Sequence, residues 1–318
     1  MTMREALQIP AFRRLWLSQL VSIFGDFLAL YAVYSLITFK LHGTPRQVTL
    51  VTVFFLLPLS IVGPLAGVFV DRWNPKRTMI ASDVIRGVLI LGLLAASAPW
   101  HIYLVFFVAS VFSSFFLPAQ SVALPQIVPA EGLLSANAAM QNAVQLVRIV
   151  SPALSGVLVG WLGERSCYYI DSASFLFSAV MISKIAIPER PPHAIAKMES
   201  VYKELFSGMR FILTHPVIGF VILSIAAGMF SLGAFGSLTA VYVRDVLHSN
   251  AYLYGTLGSM VGAGMLLGGL VITKFAVKVK DKASLISLGM LVCGAFIALT
   301  AATTNAWVAL LGCFGLGQ

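Results

Sequence analysis

The sequence predicts an all-α protein that crosses a membrane several times. Of its 318 residues, 59% are hydrophobic and 10% are charged, whereas soluble domains carry roughly 25% charged residues. The mean hydropathy is +0.92, and the charged residues separate long apolar runs. Because so few charges cannot cover the surface of a water-soluble protein of this size, the fold class is a polytopic helical membrane protein.

The same composition excludes several other classes. Three cysteines cannot form a disulfide framework, and so hydrophobic a chain is not disordered. The net charge of +9 does not indicate nucleic-acid binding, since Lys and Arg are not clustered on a polar face. The sequence also has no phosphate-binding glycine loop, and its histidines all fall in loops or at span ends. We therefore expect neither a cofactor nor a metal site.

The apolar runs define the predicted membrane spans, since a spanning helix needs about 20 apolar residues. The polar segment 188–216 separates six spans from the rest and contains an amphipathic stretch, 201–213, typical of a helix on the inner membrane surface. We expect an N-terminal six-helix lobe over 1–187, a central cytoplasmic loop over 188–216 and a partial C-terminal lobe over 217–318. The spans are predicted at 15–38, 48–70, 78–97, 101–124, 138–161, 167–187, 217–243, 252–273, 283–303 and, in part, 306–318.

The distribution of basic residues predicts the orientation. Fifteen Lys and Arg residues fall on the side of the N-terminus, and four, Lys40, Arg46, Arg165 and Arg244, fall on the opposite side. Since Lys and Arg are concentrated in cytoplasmic loops, the N-terminus is predicted to be cytoplasmic. The excess of Lys and Arg over Asp and Glu then reflects the topology and contact with the lipid bilayer.

A charged motif follows the second span, in the run Gly67-Val-Phe-Val-Asp71-Arg72-Trp73-Asn74-Pro75-Lys76-Arg77. It resembles the cytoplasmic loop motif of the major facilitator superfamily, Gly-x-x-x-Asp-Arg-x-Gly-x-Arg/Lys-Arg/Lys, although Asn74 and Pro75 depart from the usual pattern. The glycine suits close helix approach. The resemblance implies an inner gate; the alternative is that the basic residues only orient the chain. The implied gate residues are Gly67, Asp71, Arg72, Lys76 and Arg77.

Other segments are similar to the enterobactin-exporter and macrolide-efflux branch of that superfamily. They are 12–16, Gly25-Asp26, 82–86 and the stretch from Phe115 to Ala138. In the fifth span, Pro152 and Gly156 resemble the Gly-Pro pattern of drug/proton antiporters and are expected to form a hinge or seal between lobes.

The resemblance implies two six-helix lobes, the second incomplete and truncated, that give alternating access to a central cavity. It also implies a monomer in the bacterial inner membrane that binds a small-molecule substrate and protons. The second copy of the loop motif is expected, in degenerate form, at Gly268–Lys274.

Ionisable residues inside spans are functional candidates, because a charge at mid-bilayer is costly. Asp26 and Arg148 have similar predicted depths, so they either pair across the first lobe or both face the cavity. Asp26 is a candidate for proton coupling or substrate contact; the alternative is a structural ion pair. Asp83 and Arg86, at i and i+3, are expected to pair with each other or with the preceding loop, in a structural or gating role. For Asp171, near the start of its span, a local cap is favoured over a relay.

A polar stripe marks the fifth span. Asn137, Gln141, Gln145 and Arg148 are spaced by 4, 4 and 3 residues, which places them on one helical face. We favour a cavity lining over plain interhelical hydrogen bonding.

The leading functional hypothesis is therefore a non-enzymatic, proton-driven exporter of small amphipathic or organic compounds. Two alternatives remain open: uptake or flipping of a lipid-like solute by the same fold, and a non-transporting sensor or scaffold.

Overall fold

The computed structural model describes residues 1–187, 210–211, 214–275 and 282–316, and regular structure within them is helical. The predicted amphipathic stretch 201–213 lies almost entirely outside these residues. The helices are α1 Met3–Gln8, α2 Pro10–Ser35, α3 Pro45–Val70, α4 Pro75–Ile90, α5 Pro99–Ile127, α6 Leu133–Leu162, α7 Glu164–Ser183, α8 Pro216–Asp245, α9 Ala251–Phe275, α10 Lys282–Ala302 and α11 Ala306–Leu316.

Proline and capping residues start many of these helices. Helices α2, α3, α4, α5 and α8 each begin with proline, whose fixed φ suits the first helical position and whose missing N–H is not needed there. The Asn74 side chain accepts a hydrogen bond from the Arg77 backbone N–H at 3.1 Å. The departure of Asn74 and Pro75 from the usual motif is therefore an N-cap followed by an N-terminal proline.

Five helical segments of the described chain have the length and hydropathy of a membrane span. Helix α7 is not among them, although its 20 residues reach about 30 Å. It lies against α2 and α4, and it begins at Glu164 and ends at Ser183, earlier than the predicted 167–187. The five segments are Pro10–Lys40, Pro45–Val70, Pro75–Ala95, Pro99–Ile127 and Ala130–Leu162.

Two clusters of buried apolar side chains hold the helices together. One consists of first-lobe residues alone, among them Phe12, Met79 and Phe116. The other, at the opposite end of the helices, combines residues such as Ile102 with Leu257 from the second half of the chain. Among the residues that the structure describes, the two halves thus share a core at one end only.

The turns that follow α2 and α8 have the same backbone pattern. Each contains a histidine with positive φ, 47° at His42 and 48° at His248, in the left-handed region that is uncommon for residues other than glycine. In each, the N–H of the next residue donates to a carbonyl six residues earlier, at 2.8 Å and 2.9 Å. Thr44 and Asn250 then cap the following helices. The chain therefore repeats one structural unit, first in α2–α3 and again in α8–α9.

This repeat was not found from the sequence, which placed the second copy of the loop motif at Gly268–Lys274. The side chains of that segment after Gly268 lie outside the described residues.

Helices α6 and α9 join the two halves through glycines. A Cβ atom on Gly156 would lie 2.9 Å from the Gly255 Cα, and one on Gly258 would lie 2.7 Å from the Pro152 Cβ. Small residues let helix backbones approach this closely. The predicted interface residues Pro152 and Gly156 therefore contact the second half directly.

We predict that Gly255→Ala lowers the free energy of unfolding by about 1–3 kcal/mol, the usual cost of overpacking. Its Cβ would lie 2.8 Å from both the Gly156 Cα and the Pro152 carbonyl oxygen. The measurement is denaturant unfolding of the purified protein in micelles.

The matched control is Gly160→Ala, whose Cβ would have no neighbour within 4 Å. It is expected to be neutral or slightly stabilising, because alanine favours the helix. Equal destabilisation by both variants would contradict the close α6–α9 contact.

Candidate functional site

Arg86 of α4 lies at the centre of a polar cluster inside the first lobe, with 7% of its side chain exposed. Its Nη2 donates to Asp83 Oδ1 in a short ion pair, and its Nη1 donates to Ser113 Oγ at 3.1 Å. Nη1 also lies 3.7 Å from Asp26 Oδ2. Asp83 is fully buried, whereas 33% of the Asp26 side chain is exposed. The expected Asp83–Arg86 pair is confirmed, and Asp26 pairs with Arg86 rather than with Arg148.

Aromatic rings and a hydroxyl complete the surroundings of this ion pair. The Arg86 guanidinium carbon lies 4.2 Å from the centroid of the Phe175 ring and 5.3 Å from that of Phe116. Ser178 Oγ donates to Asp83 Oδ2 at 2.6 Å. Hydrogen bonds and ring contacts offset part of the cost of removing these charges from water.

A third carboxyl group, that of Asp171, lies beside the cluster. It is fully buried and lines a cavity of about 10 Å³ together with Asp26 and Arg86. Ser174 Oγ donates to the Asp171 carbonyl oxygen at 2.7 Å and to its Oδ1 at 3.4 Å, while Asp171 Oδ2 has no hydrogen-bond partner among the described residues. The expected cap is wrong, because α7 begins after Gly163, whose φ is +78°.

Two glycines bring α7 close to α2 and α4. A Cβ atom on Gly25 would lie 2.5 Å from Asp171 Oδ1 and would also clash with Ser174 Oγ. On α4, the Gly87 carbonyl accepts a hydrogen bond from Ser172 Oγ at 2.7 Å. Gly25 therefore leaves the space in which the Asp171 carboxyl group lies, and Gly87 lets α4 lie close to α7.

The polar stripe of α6 forms an exposed surface, away from the Arg86 cluster. Its members Asn137, Gln141, Gln145 and Arg148 are all exposed. The same helical face continues, at intervals of four residues, into Pro152 and Gly156, which pack against α9. One face of α6 is thus covered by the second half of the chain at its C-terminal end, whereas no described residue of the second half covers it along its N-terminal half.

The charged loop between α3 and α4 lies at the end of the helices where the described core contains only first-lobe residues. We call this the open end, and we call the end where the two halves share a core the closed end. Asp71, Arg72 and Arg77 are exposed and Lys76 is half-buried. The close helix approach expected at Gly67 is absent among the described residues, since a Cβ there would meet nothing within 4 Å. The reason is that the halves share no described core at this end.

Arg244, at the end of α8, bridges the two halves at the closed end. Its Nη1 donates to the carbonyl oxygens of Thr38 at 2.8 Å and Gly43 at 2.9 Å. Its Nε and Nη2 hold both carboxylate oxygens of Asp245, at 2.5 Å and 2.9 Å, and these hydrogen bonds lower the pKa of Asp245 below its usual value. Sequence reasoning counted Arg244 only as an orienting charge, because its carbonyl partners carry no sequence signal.

Comparison with known proteins identifies the fold just described. The profile of the Major Facilitator Superfamily matches residues 15–318. The chain belongs to the Major Facilitator Superfamily. The resemblance drawn from the loop motif and the fifth span is confirmed, as is the all-α polytopic fold. As a member, the chain is an integral membrane protein of a transporter family whose members bind small molecules.

Several relatives within the superfamily are similar over most of the chain. The uncharacterized MFS-type transporter YfiS of Bacillus subtilis is 29% identical, over 79% of the chain and 60% of YfiS. Macrolide efflux protein A of Streptococcus pyogenes is 24% identical, over 83% of the chain and 66% of that protein. Enterobactin exporter EntS of Escherichia coli is 26% identical, over 92% of the chain and 69% of EntS. The chain thus spans less than two thirds of the length of YfiS and of macrolide efflux protein A.

A solved superfamily structure has the same fold. The bacterial homologue of the human lysosomal transporter Spinster, in an inward-facing and unoccupied conformation, gives a TM-score of 0.73 at 17% identity. The match covers 97% of this chain and 74% of that one.

We predict that Asp83→Ala destabilises the protein by about 3–5 kcal/mol, because it leaves Arg86 without its closest counter-charge in a buried site. Asp83→Asn, which keeps the volume, separates loss of charge from loss of packing. The measurement is again unfolding in micelles.

The control is Asp71→Ala, at an exposed position where a change within about 0.5 kcal/mol is expected. A loss no larger for Asp83→Ala than for this control would show that the Arg86 cluster does not stabilise the fold.

We predict that Arg244→Ala opens the closed end. The reporter is a cysteine at position 35, placed in a background without the natural cysteines. Ser35 is 2% exposed and lies beside Pro152 and Tyr254 at the lobe contact, so a cysteine there becomes accessible only when this contact opens. Labelling by a membrane-impermeant thiol reagent is expected to accelerate by about tenfold or more, since charge-assisted hydrogen bonds contribute about 1.5–3 kcal/mol each. Arg46→Ala, a loss of an exposed arginine at the start of α3, should leave the rate unchanged, and equal rates in both variants would refute the bridge.

Proposed function

We propose that this protein is a secondary-active exporter of small amphipathic or organic compounds, driven by the proton gradient through alternating access. The observation that carries this proposal is the position of Asp26, a partly exposed acid held 3.7 Å from a buried arginine inside the helical bundle. An acid with one side toward water and one toward a fixed cation can change charge during transport. Protonation would weaken its attraction to Arg86 and leave that arginine to Asp83 alone.

The substrate route is proposed along the exposed face of α6. Asn137, Gln141, Gln145 and Arg148 offer hydrogen bonds and one positive charge on the half of the helix that α9 leaves uncovered. A polar face inside a membrane requires a water-filled or protein-lined space opposite it. With the N-terminus in the cytoplasm, this space opens inward, as expected for a state that takes up its substrate from the cell.

The gate at the cytoplasmic end is proposed to consist of Gly67, Asp71, Arg72, Lys76 and Arg77, with Asp83 and Arg86 deeper in the same lobe. Residues 1–187 and 217–318 would act as two lobes joined by the loop 188–216. Closing the cytoplasmic end would bring α3 toward the second lobe, where a glycine at position 67 leaves room. At the other end, Pro152 and Gly156 would release α9.

Two relatives support export of organic compounds, since their names describe macrolide efflux and enterobactin export. We further propose that the protein works as a monomer in the bacterial inner membrane. If the protein instead imports or flips a lipid-like solute, transport by right-side-out and inverted vesicles will have the opposite direction. A non-transporting sensor or scaffold would transport no probe in either orientation.

We predict that Asp26→Asn reduces efflux of radiolabelled erythromycin by about tenfold or more without reducing the amount of protein in the membrane. Asparagine keeps the size of the side chain but cannot take up and release a proton at neutral pH. The assay compares cells that express the complete natural protein with and without a protonophore.

The control for this experiment is Glu131→Gln, the loss of an exposed acid outside the proposed route. Protonophore-insensitive efflux in the wild type would refute proton coupling. Unchanged efflux in Asp26→Asn would refute the role of this residue while leaving transport itself intact.

A further inference from the structure

Asp171 has no counter-charge of its own in the interior of the first lobe. Three carboxyl groups, from Asp26, Asp83 and Asp171, surround the single guanidinium of Arg86. That guanidinium already donates hydrogen bonds to Asp83 and Ser113, and its nearest other carboxyl group is that of Asp26, at 3.7 Å. An ionised Asp171 would therefore be a buried and unpaired charge, which is among the costliest groups to place inside a protein.

The surroundings of Asp171 favour a neutral carboxylic acid. From α2 it faces Asp26 and from α4 it faces Arg86, so one of its two ionisable neighbours is itself an acid and the other is already paired with Asp83. From α5, Ser110 and Ser113 line the same cavity, and α6 contributes no lining residue. Asp171 Oδ2 and Ser110 Oγ are both buried and lack hydrogen-bond partners among the described residues.

The cavity offers a path between the buried and the exposed acid. Its volume of about 10 Å³ is at the lower limit of what one water molecule occupies. Asp171 at one side is fully buried, and Asp26 at the other is 33% exposed. A water in this space would have polar partners on both sides, as a buried water requires.

We propose that Asp171 is a second proton-binding site, which stores a proton in the closed interior and exchanges it with Asp26 through this cavity. In that exchange the O–H bond at Asp171 Oδ2 breaks, the proton passes through the water, and an O–H bond forms on the Asp26 carboxylate. The negative charge moves from Asp26 to Asp171, and the total charge of the cluster does not change. The role in transport rests on the proposed function; the stored proton itself does not.

The decisive measurement is infrared difference spectroscopy of the complete protein in lipid vesicles at neutral pH. A protonated carboxylic acid has a C=O stretching band that an ionised carboxylate lacks. The wild type and Asp26→Asn are expected to show this band, and Asp171→Asn, which keeps the size of the side chain, is expected to lose it. Absence of the band in the wild type, or its persistence in Asp171→Asn, would overturn the proposal.

A matched control is available on the same helix. Glu164 is also buried but is paired with Lys40 at 2.5 Å, outside the Arg86 cluster, so Glu164→Gln should retain the band. If the band disappears when sodium is added at constant pH, a sodium ion displaces the proton from this site. That result would also overturn the proposal.

The transport role is tested separately, with radiolabelled erythromycin in the same vesicles. In Asp171→Asn, accumulation driven by a pH gradient should fall by about tenfold or more while exchange without a gradient is retained; Asp171→Glu should restore part of the accumulation. If neither the wild type nor any variant responds to the pH gradient, the proposed function fails. The infrared band then still decides whether Asp171 holds a proton. If Asp171→Asn responds like the wild type while Asp26→Asn does not, the relay is refuted and the coupling role of Asp26 remains.

Discussion

A single guanidinium compensates the negative charge in the interior of the first lobe, and much of the local packing follows from this constraint. Arg86 is buried among four helices, so its charge must be balanced within the protein. Asp83, one helical turn away, supplies the counter-charge, Ser113 accepts a hydrogen bond from Arg86, and Ser178 donates one to Asp83. Two phenylalanine rings cover the remaining surface of the guanidinium. Helices α2 and α7 can join this arrangement only because Gly25 has no side chain at their contact.

The two ends of the molecule are held by different kinds of contact. At one end, the α6–α9 glycine contact and the Arg244 bridge bring the backbones of the two halves together. At the other end, the described core contains only residues of the first lobe. Close backbone packing is lost over a small separation, since dispersion attraction falls steeply with distance. The closed end is therefore suited to two discrete arrangements, packed and separated, as the proposed alternating access would require.

The sequence predicted more of the fold than of the site. Hydropathy located the first five spans, because a helix in lipid must be apolar along its length. The Asp83–Arg86 pair was predictable from its i, i+3 spacing. The Asp26–Arg86 pair was not, because it joins α2 to α4 and depends on which helices are neighbours. The depth of Asp171 was underestimated, since the start of α7 depends on the positive φ of Gly163, which hydropathy does not report.

Helix α2 runs from the Arg86 cluster to the closed end. Asp26 lies in the cluster, and Tyr31, five residues later, contacts Tyr254 of α9 with ring centroids 5.6 Å apart; along the helix axis the two positions are separated by about 7.5 Å. Ser155 of α6 also donates to the Leu28 carbonyl oxygen of α2, at 3.3 Å. A helix transmits displacement along its axis with little internal deformation. Under the proposed proton coupling, a change of charge at Asp26 would therefore act on the contact between the halves through α2 itself, because the acid and that contact lie on the same helix.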